Sequence, residues 1–253
     1  MKAESYQDKY AEYADLFDEQ KNYLEECNFL EKCFKKFSKI KVNSILDLGC
    51  GTGNHASHLS NKGYDVTGLD ISGSMIKMAN SKQIQNANFV IGNLADFNLK
   101  EKFDSVISMF AAIGYINNNK DLKNAVNCVR EHLKPGGLFI FDCWNGIGVM
   151  HDFPTSRTRE VEKNNLKIIR KSYPYMDFMG HICTVEFDIN IIKDDKIVES
   201  FKEKHNVRFF FPQEIKKYLE DENFEVLAIT KQFDINEKAN KNFWMSVIAR
   251  LKP

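Results

Sequence analysis

The sequence predicts an α/β fold: a mainly parallel sheet with helices on both faces, carrying a smaller antiparallel β insertion. Three observations lead there. From Ser44 to Phe141 short apolar runs alternate with amphipathic stretches of helix length, the pattern of parallel strands covered on both sides. A glycine-rich loop, Gly49 to Gly53, follows the first run, at the carboxyl end of a strand, where open α/β sheets bind ligands. After Asn145 the texture changes to segments rich in Val, Ile, Phe and Thr, broken by Lys193-Asp194-Asp195-Lys196, which reads as strands joined by a turn.

Residues 1–40 read as helix, because Tyr6, Tyr10, Tyr13, Phe17, Leu24, Cys27, Leu30, Phe34 and Phe37 recur at intervals of about three or four. Lysines at 32, 35, 36, 39 and 41 surround Cys33, Phe34, Phe37 and Ile40 and form a solvated helix face. Strands are expected at Ile45–Leu48, Asp65–Leu69, Asn88–Ile91, Phe103–Ser108 and Leu138–Phe141, with helices at 54–62, 72–82 and 119–133 between them. Pro135-Gly136-Gly137 reads as a turn before the fifth strand. Segments 159–172, 181–193 and 196–211 form the antiparallel insertion; Pro212 then opens a helix to about Leu219, and strands at Glu225–Thr230 and Phe243–Leu251 return to the main sheet. The expected organisation is a helical lid (1–40), a Rossmann-like core (41–151), an antiparallel cap (152–211) and a C-terminal completion of the sheet (212–253).

Composition narrows the function. The 253 residues carry 35 Lys plus Arg against 35 Asp plus Glu, so no global basic field exists to hold nucleic acid or an anionic membrane. The charged start, from Met1 through Glu4, Asp8, Lys9, Glu12 and Asp15, lacks the apolar core of a signal peptide, and the longest weakly polar run, 105–116, is too short to span a bilayer. A cytoplasmic location is expected. Cys27, Cys33, Cys50, Cys128, Cys143 and Cys183 form no CxxC pair. They read as reduced thiols, and no metal site is expected.

The strongest motif is Ile45-Leu46-Asp47-Leu48-Gly49-Cys50-Gly51-Thr52-Gly53-Asn54-His55, followed 21 residues after Gly49 by Asp70 at the end of the second strand. Glycines let backbone approach a ligand closely, a helix N-terminus offers unpaired N–H groups, and a strand-end acid accepts hydrogen bonds from ribose hydroxyls. The spacing is GxGxG, not the GxGxxG of dinucleotide loops. With Gly92-Asn93-Leu94-Ala95-Asp96-Phe97, Phe103-Asp104-Ser105-Val106 and Leu133-Lys134-Pro135-Gly136-Gly137-Leu138, DLGCGTG resembles the signature of class I S-adenosylmethionine-dependent methyltransferases over about residues 42–145. The resemblance implies that Asp47, Gly49, Gly51 and Gly53 hold the methionine end of S-adenosylmethionine and Asp70 its ribose. It further implies that Ile71, Met75 and Met109 line the cofactor site and that Asn93 and Leu94 meet the adenine edge. The family often has Asp where this chain has Asn93; an amide oxygen still accepts, without charge assistance, and Asp96 is a second candidate for that role.

No Asn/Asp-Pro-Pro-Tyr/Phe motif follows the fourth strand, which reads Ser108-Met109-Phe110-Ala111-Ala112-Ile113-Gly114-Tyr115. A small-molecule acceptor is therefore expected. The Tyr-rich N-terminus, CGTGNH, MFAAIGY and Glu203-Lys204-His205-Asn206-Val207-Arg208 are similar to N-methyltransferases of nucleotide-linked amino sugars, which make N,N-dimethyl sugars. In that family a His stands at the place of Tyr115 and a Glu at the place of Asp142. On the residues' own chemistry, Tyr10, Tyr115, Asp142, His205 and Arg208 are candidates for the acceptor pocket: Asp142 to hold and deprotonate an amine, Arg208 for a phosphate or carboxylate, Tyr10 from the lid. Tyr10, His205 and Arg208, like Met75, each have a plain structural alternative. Tyr10 and Met75 then belong to the core, His205 is an ordinary strand residue, and Arg208 pairs with a nearby Glu. Transfer to a hydroxyl or carboxylate, with His205 or His55 as base, and a non-catalytic cofactor-binding module are the competing functions. A homodimer through the antiparallel insertion is a further expectation.

Overall fold

The computed structural model describes residues 8–19, 21–163 and 165–253; Tyr6 and the charged residues before Asp8 lie outside them. The N-terminal segment is two helices, α1 (Asp8–Phe17) and α2 (Tyr23–Phe37), not one. The break has a local cause. Asn22 caps α2, its Oδ1 accepting from Glu25 N at 3.1 Å while its Nδ2 donates to Glu25 Oε2 at 3.1 Å, a reciprocal cap readable in the spacing Asn22-x-x-Glu25.

The core sheet contains β1 (Ser44–Leu48), β2 (Asp65–Asp70), β3 (Ala87–Ile91), β4 (Phe103–Ser108), β5 (Leu133–Trp144), β10 (Phe224–Lys231) and β11 (Trp244–Leu251). Its order is β10-β11-β5-β4-β1-β2-β3. The strands from β5 to β3 are parallel, and β11 runs antiparallel to both neighbours. The chain leaves β1 towards β3 on one side and resumes at β4 on the other, so the switch point lies between β1 and β4.

Side chains alternate across the sheet as period two demands. Ile45, Ile107, Leu138 and Ile140 face α2 and α3 (Asn54–Ser60), packing on Phe29, Leu30, Cys33, Ala56 and Leu59. Leu46, Val106, Phe139 and Phe141 face α5 (Asn119–His132) and α7 (Pro212–Asp221), packing on Leu122, Val126, Ile215 and Leu219. Helix α4 (Gly73–Ser81) starts at Ser72, whose Oγ accepts from Met75 N.

Pro135-Gly136-Gly137 is not a turn ahead of the fifth strand. It is a bulge inside β5: pairing advances from Phe103 to Ser105 on β4 but from Leu133 to Leu138 on β5. Gly137 permits it, because a Cβ there would lie 2.5 Å from Asp104 O.

The insertion is a four-stranded antiparallel sheet, β6 (Arg157–Lys163), β7 (Leu166–Asp177), β8 (Ile182–Lys193) and β9 (Lys196–Arg208), preceded by a short helix α6 (Gly146–His151). The segment 159–172 is therefore a hairpin, with Arg159 opposite Arg170 and Val161 opposite Ile168. One face of this sheet, through Ile168, Ile189 and Ile191, packs on Tyr10, Ala11, Ala14 and Phe17 of α1 and on Met75 of α4. Phe17 is fully buried there, which contributes about 1.5–3 kcal/mol. Helix α1 is thus held between insertion and core. No described helix is long and apolar enough to cross a membrane. Cys27, Cys33, Cys50, Cys143 and Cys183 are buried free thiols and Cys128 is half-buried.

Candidate active site

A cavity of about 460 Å³ opens at the carboxyl ends of β1, β2 and β4, at the switch point. Helix α1, the connection to α2 and the 3₁₀ turn Ala112–Tyr115 wall it.

The glycine loop forms its floor. Gly49, Gly51 and Gly53 all have positive φ (76°, 54° and 79°), the left-handed region that side chains enter at a cost. Packing adds a second reason at Gly49, where a Cβ would lie 2.5 Å from Ala112 Cβ. At Gly51 a Cβ would meet nothing within 4 Å, so this backbone faces open cavity. Asp70 secures the loop from the end of β2: Oδ2 accepts from Gly51 N at 2.9 Å, Oδ1 from Ser72 N at 2.8 Å. Burial raises its pKa against the pull of those bonds.

Asp47, on β1 beneath the loop, is buried with Oδ2 unpartnered. Burial first, then the charge of Asp70, lifts its carboxyl to about 7, with Lys21 opposing. A buried carboxylate lacking a donor is a site for a cationic N–H group. The open backbone at Gly51 and the strand-end acid at the cavity wall fit a nucleoside, while Asp47 and Gly53, both expected at the methionine end, lie behind that wall and do not line the cavity.

Helix α1 is latched onto the loop by Asp15, whose Oδ1 accepts from Thr52 Oγ1 at 2.5 Å and Asn54 Nδ2 at 2.9 Å while Oδ2 pairs with Lys82 at 2.8 Å. Burial pushes the Asp15 pKa up, but these bonds win and hold it below its ordinary value.

Ile71, Met75, Asn93 and Leu94 line the cavity on the β2–β3 side, and Met109 lines it beyond β4. Asn93 Oδ1 accepts from Ala95 N at 3.0 Å; Asp96 does not line this cavity. Tyr10 and Tyr115 line it from the lid and the 3₁₀ turn. The Tyr115 hydroxyl hydrogen-bonds His205 Nδ1 at 2.7 Å, and the imidazole packs against the rings of Tyr10, Tyr115 and Phe187. Burial, then the Arg170 charge, lowers the His205 pKa to about 3, and the ring stands behind Tyr115 without lining the cavity itself. His55, bonded to Glu26 Oε2 at 2.6 Å, is likewise lowered by burial. Burial raises the Tyr10 phenol to about 12, and its oxygen accepts from Arg170 Nη1.

Two expectations are corrected. Asp142 does not project into the cavity; it is fully buried, Oδ1 accepting from Ala111 N at 3.2 Å and Oδ2 from Gln232 Nε2 at 2.7 Å. It braces the loop after β4, where Phe110 and Ala111 have positive φ. Arg208 is committed elsewhere: its Nη2 pairs with Glu214 at 2.5 Å and donates to Asn119 Oδ1 at 2.6 Å, away from the cavity. Here the plain alternative, a pair with a neighbouring Glu, holds.

The reading of residues also missed wall residues that tertiary contact alone reveals: Asp18 and Lys21 between α1 and α2, Tyr23 at the start of α2, Asn117 after the 3₁₀ turn, and Lys204 and Asn206 on β9. The Lys21 ammonium is nearly buried, 3.9 Å from the centre of the Phe110 ring, 4.5 Å from that of Tyr23 and 3.4 Å from Glu26 Oε2.

Comparison with known proteins decides the family. Residues 45–137 match the methyltransferase domain family. Over 208 residues, 80% of this chain and 86% of the relative, the sequence is 28% identical to the dTDP-3-amino-3,4,6-trideoxy-alpha-D-glucopyranose N,N-dimethyltransferase of Streptomyces venezuelae. The chain belongs to the class I S-adenosylmethionine-dependent methyltransferases. This methyltransferase shares its fold with a solved S-adenosylmethionine-dependent methyltransferase from Clostridium acetobutylicum (TM-score 0.80, 24% identity, 97% of this chain and 98% of that one). It is equally similar to Streptomyces venezuelae DesVI (TM-score 0.80, 23% identity, 94% and 98%). Its cofactor is S-adenosylmethionine.

Proposed function

We propose that this methyltransferase acts on an amine of a small molecule, an amino sugar linked to a nucleotide. The observation that carries this reading is the continuity of the cavity. One space runs from the glycine loop and Asp70, past Met109 and Phe110, to Tyr115, Asn117, Lys204 and Asn206. It thus joins a nucleoside-sized floor to a polar second lobe walled by the insertion. The amino-sugar N,N-dimethyltransferases of Streptomyces venezuelae and Streptomyces fradiae match about four-fifths of the chain, at 28% and 26% identity, and support the choice of acceptor.

In this reading Asp47 accepts from the methionine ammonium, the Gly49–Gly53 backbone lies along the methionine, and Asp70 accepts from the ribose hydroxyls. Ile71 and Met75 pack on the adenine, with Asn93 and Leu94 at its edge. When bound, S-adenosylmethionine supplies the activated methyl group. The protein's own tasks are then orientation, exclusion of water and handling of one proton. Helix α1, latched through Asp15 and apolar through Tyr10, Ala14 and Phe17, serves as the lid, and the β6–β9 sheet as the acceptor cap. Tyr115, its hydroxyl bonded to a neutral His205, presents a fixed polar group to the acceptor lobe. Asp142 acts as a positioning residue, holding Ala111 and therefore Phe110 in place.

The test is incubation of the protein and S-adenosylmethionine with a dTDP-linked amino sugar, beside the same sugar bearing a hydroxyl. Mass spectrometry should find one or two added methyl groups on the amine and none on the alcohol. Methylation of the alcohol alone would reverse the assignment.

A further inference from the structure

An amine acceptor arrives largely as its ammonium and must lose a proton before its lone pair can attack, so the acceptor lobe needs a proton acceptor. Among the described cavity residues the carboxylates are Asp70 and Asp18. Asp70 has both oxygens engaged by the backbone of the glycine loop and of Ser72. Asp142 is sealed beneath Ala111, and His205 does not line the cavity, its Nδ1 engaged by the Tyr115 hydroxyl. Asp18 remains.

We infer that Asp18 receives the proton of the acceptor's ammonium. The inference rests on the amine reading above. Asp18 lies just past the end of α1, in a turn held by Asp18 N donating to Ala14 O at 3.2 Å and Lys21 N donating to Asp18 O at 2.9 Å. One side-chain oxygen, Oδ2, accepts from the Tyr23 hydroxyl at 3.3 Å. The titratable and charged groups whose fields reach it are Tyr10 of α1, Lys21 from the α1–α2 connection, Tyr23 of α2, Arg159 from β6 and Arg170 from β7. These tie it to the lobe where Lys21 sits over Phe110 and where Tyr10 and Tyr115 share His205.

Two features suit the transfer. Burial raises the Asp18 carboxyl above its ordinary range against the pull of Lys21 and the two arginines, which narrows its gap to an amine. The half-buried Lys21 ammonium on the same cavity wall disfavours a second cation, so an ammonium placed near it gives up its proton more readily. The step is balanced: R–NH3⁺ and the Asp18 carboxylate become R–NH2 and the Asp18 carboxylic acid, with no electrons exchanged and no other bond changed. The lid position of Asp18 returns that proton to water when α1 opens.

The experiment compares wild type, Asp18→Asn and Asp18→Glu in kcat/KM for the amino sugar across pH, with calorimetric binding of S-adenosylhomocysteine as a second readout. The expected result is a fall of roughly 10²–10⁴-fold for Asp18→Asn at neutral pH, with unchanged product binding. The deficit should shrink as pH rises and free amine becomes available from solution. Asp18→Glu should keep the wild-type form of the pH profile, and it carries the test if the Asn chain does not fold. Wild-type rates in Asp18→Asn at every pH, loss of product binding in step with loss of rate, or a Glu profile that follows solution free amine would each overturn the role while leaving the amine reading intact. A wild-type enzyme that methylates no amine would instead overturn the reading, and this inference with it.

Discussion

Cofactor binding should release a proton, and Asp47 is the reason. Its carboxyl stands at about 7 rather than the ordinary 3.8, raised by burial and by Asp70, and its Oδ2 has no partner. An ammonium donating to that oxygen favours the charged carboxylate and pulls the pKa back down. At pH 7 about half of the free protein carries the proton, so binding should release about half a proton there and close to one at pH 6. Apparent affinity should then weaken by up to about tenfold, or 1.4 kcal/mol, for each pH unit below 7. The assay is calorimetry with S-adenosylhomocysteine, which keeps the same amino-acid end, in pairs of buffers of different ionisation enthalpy between pH 6 and 8. Asp47→Asn should bind more weakly with no buffer dependence. A wild-type heat independent of buffer at pH 6, with flat affinity from 6 to 8, would refute both the perturbed carboxyl and its assignment to the methionine end.

The same carboxyl links stability to pH. A folded-state acid pKa raised from 3.8 to about 7 means the folded chain binds the extra proton, so its penalty is absent below about pH 4 and grows as pH rises through 7. The full effect is on the order of 4 kcal/mol. Thermal melts of the cofactor-free protein should therefore lose midpoint temperature from pH 5 to 8, and Asp47→Asn should flatten that slope; equal slopes would count against it. Gly49→Ala should cost about 2–4 kcal/mol, combining left-handed strain with the Ala112 overlap. The double variant Gly49→Ala with Ala112→Gly should regain only the overlap part in denaturant melts. Asp142→Ala, which strips the Ala111 amide of its acceptor, should cost about 1–3 kcal/mol of stability and lower kcat; an unchanged kcat would show that the loop after β4 needs no brace. Arg208→Ala should destabilise by on the order of 3 kcal/mol by stranding Glu214, with KM for the acceptor unchanged in steady-state kinetics; a raised KM would return Arg208 to the acceptor site.

The order of strands and helices from Ser44 to Phe141, the GxGxG loop, Asp70 at the next strand end and the antiparallel texture after Asn145 were all legible in the sequence. Each is written in local pattern: period two on strands, three to four on helices, and glycine where backbone must turn through positive φ or meet Ala112. The break at Asn22 and the hairpin inside 159–172 were both missed, although the spacing of Asn22 to Glu25 and the pair Asn164-Asn165 carry their signals. Partnership across the fold was not legible. Asp142 was chosen because it follows a strand near the motif and Arg208 because a guanidinium suits a phosphate or carboxylate, yet Ala111, Gln232 and Glu214 engage them. Asp18 and Lys21 looked like ordinary charges in a polar stretch until α1 was clamped between the insertion and the glycine loop. A residue's secondary structure follows from its neighbours along the chain. Whether its charge meets water, a buried partner or a cavity follows from side chains many residues away, and only the packed tertiary structure brings those together.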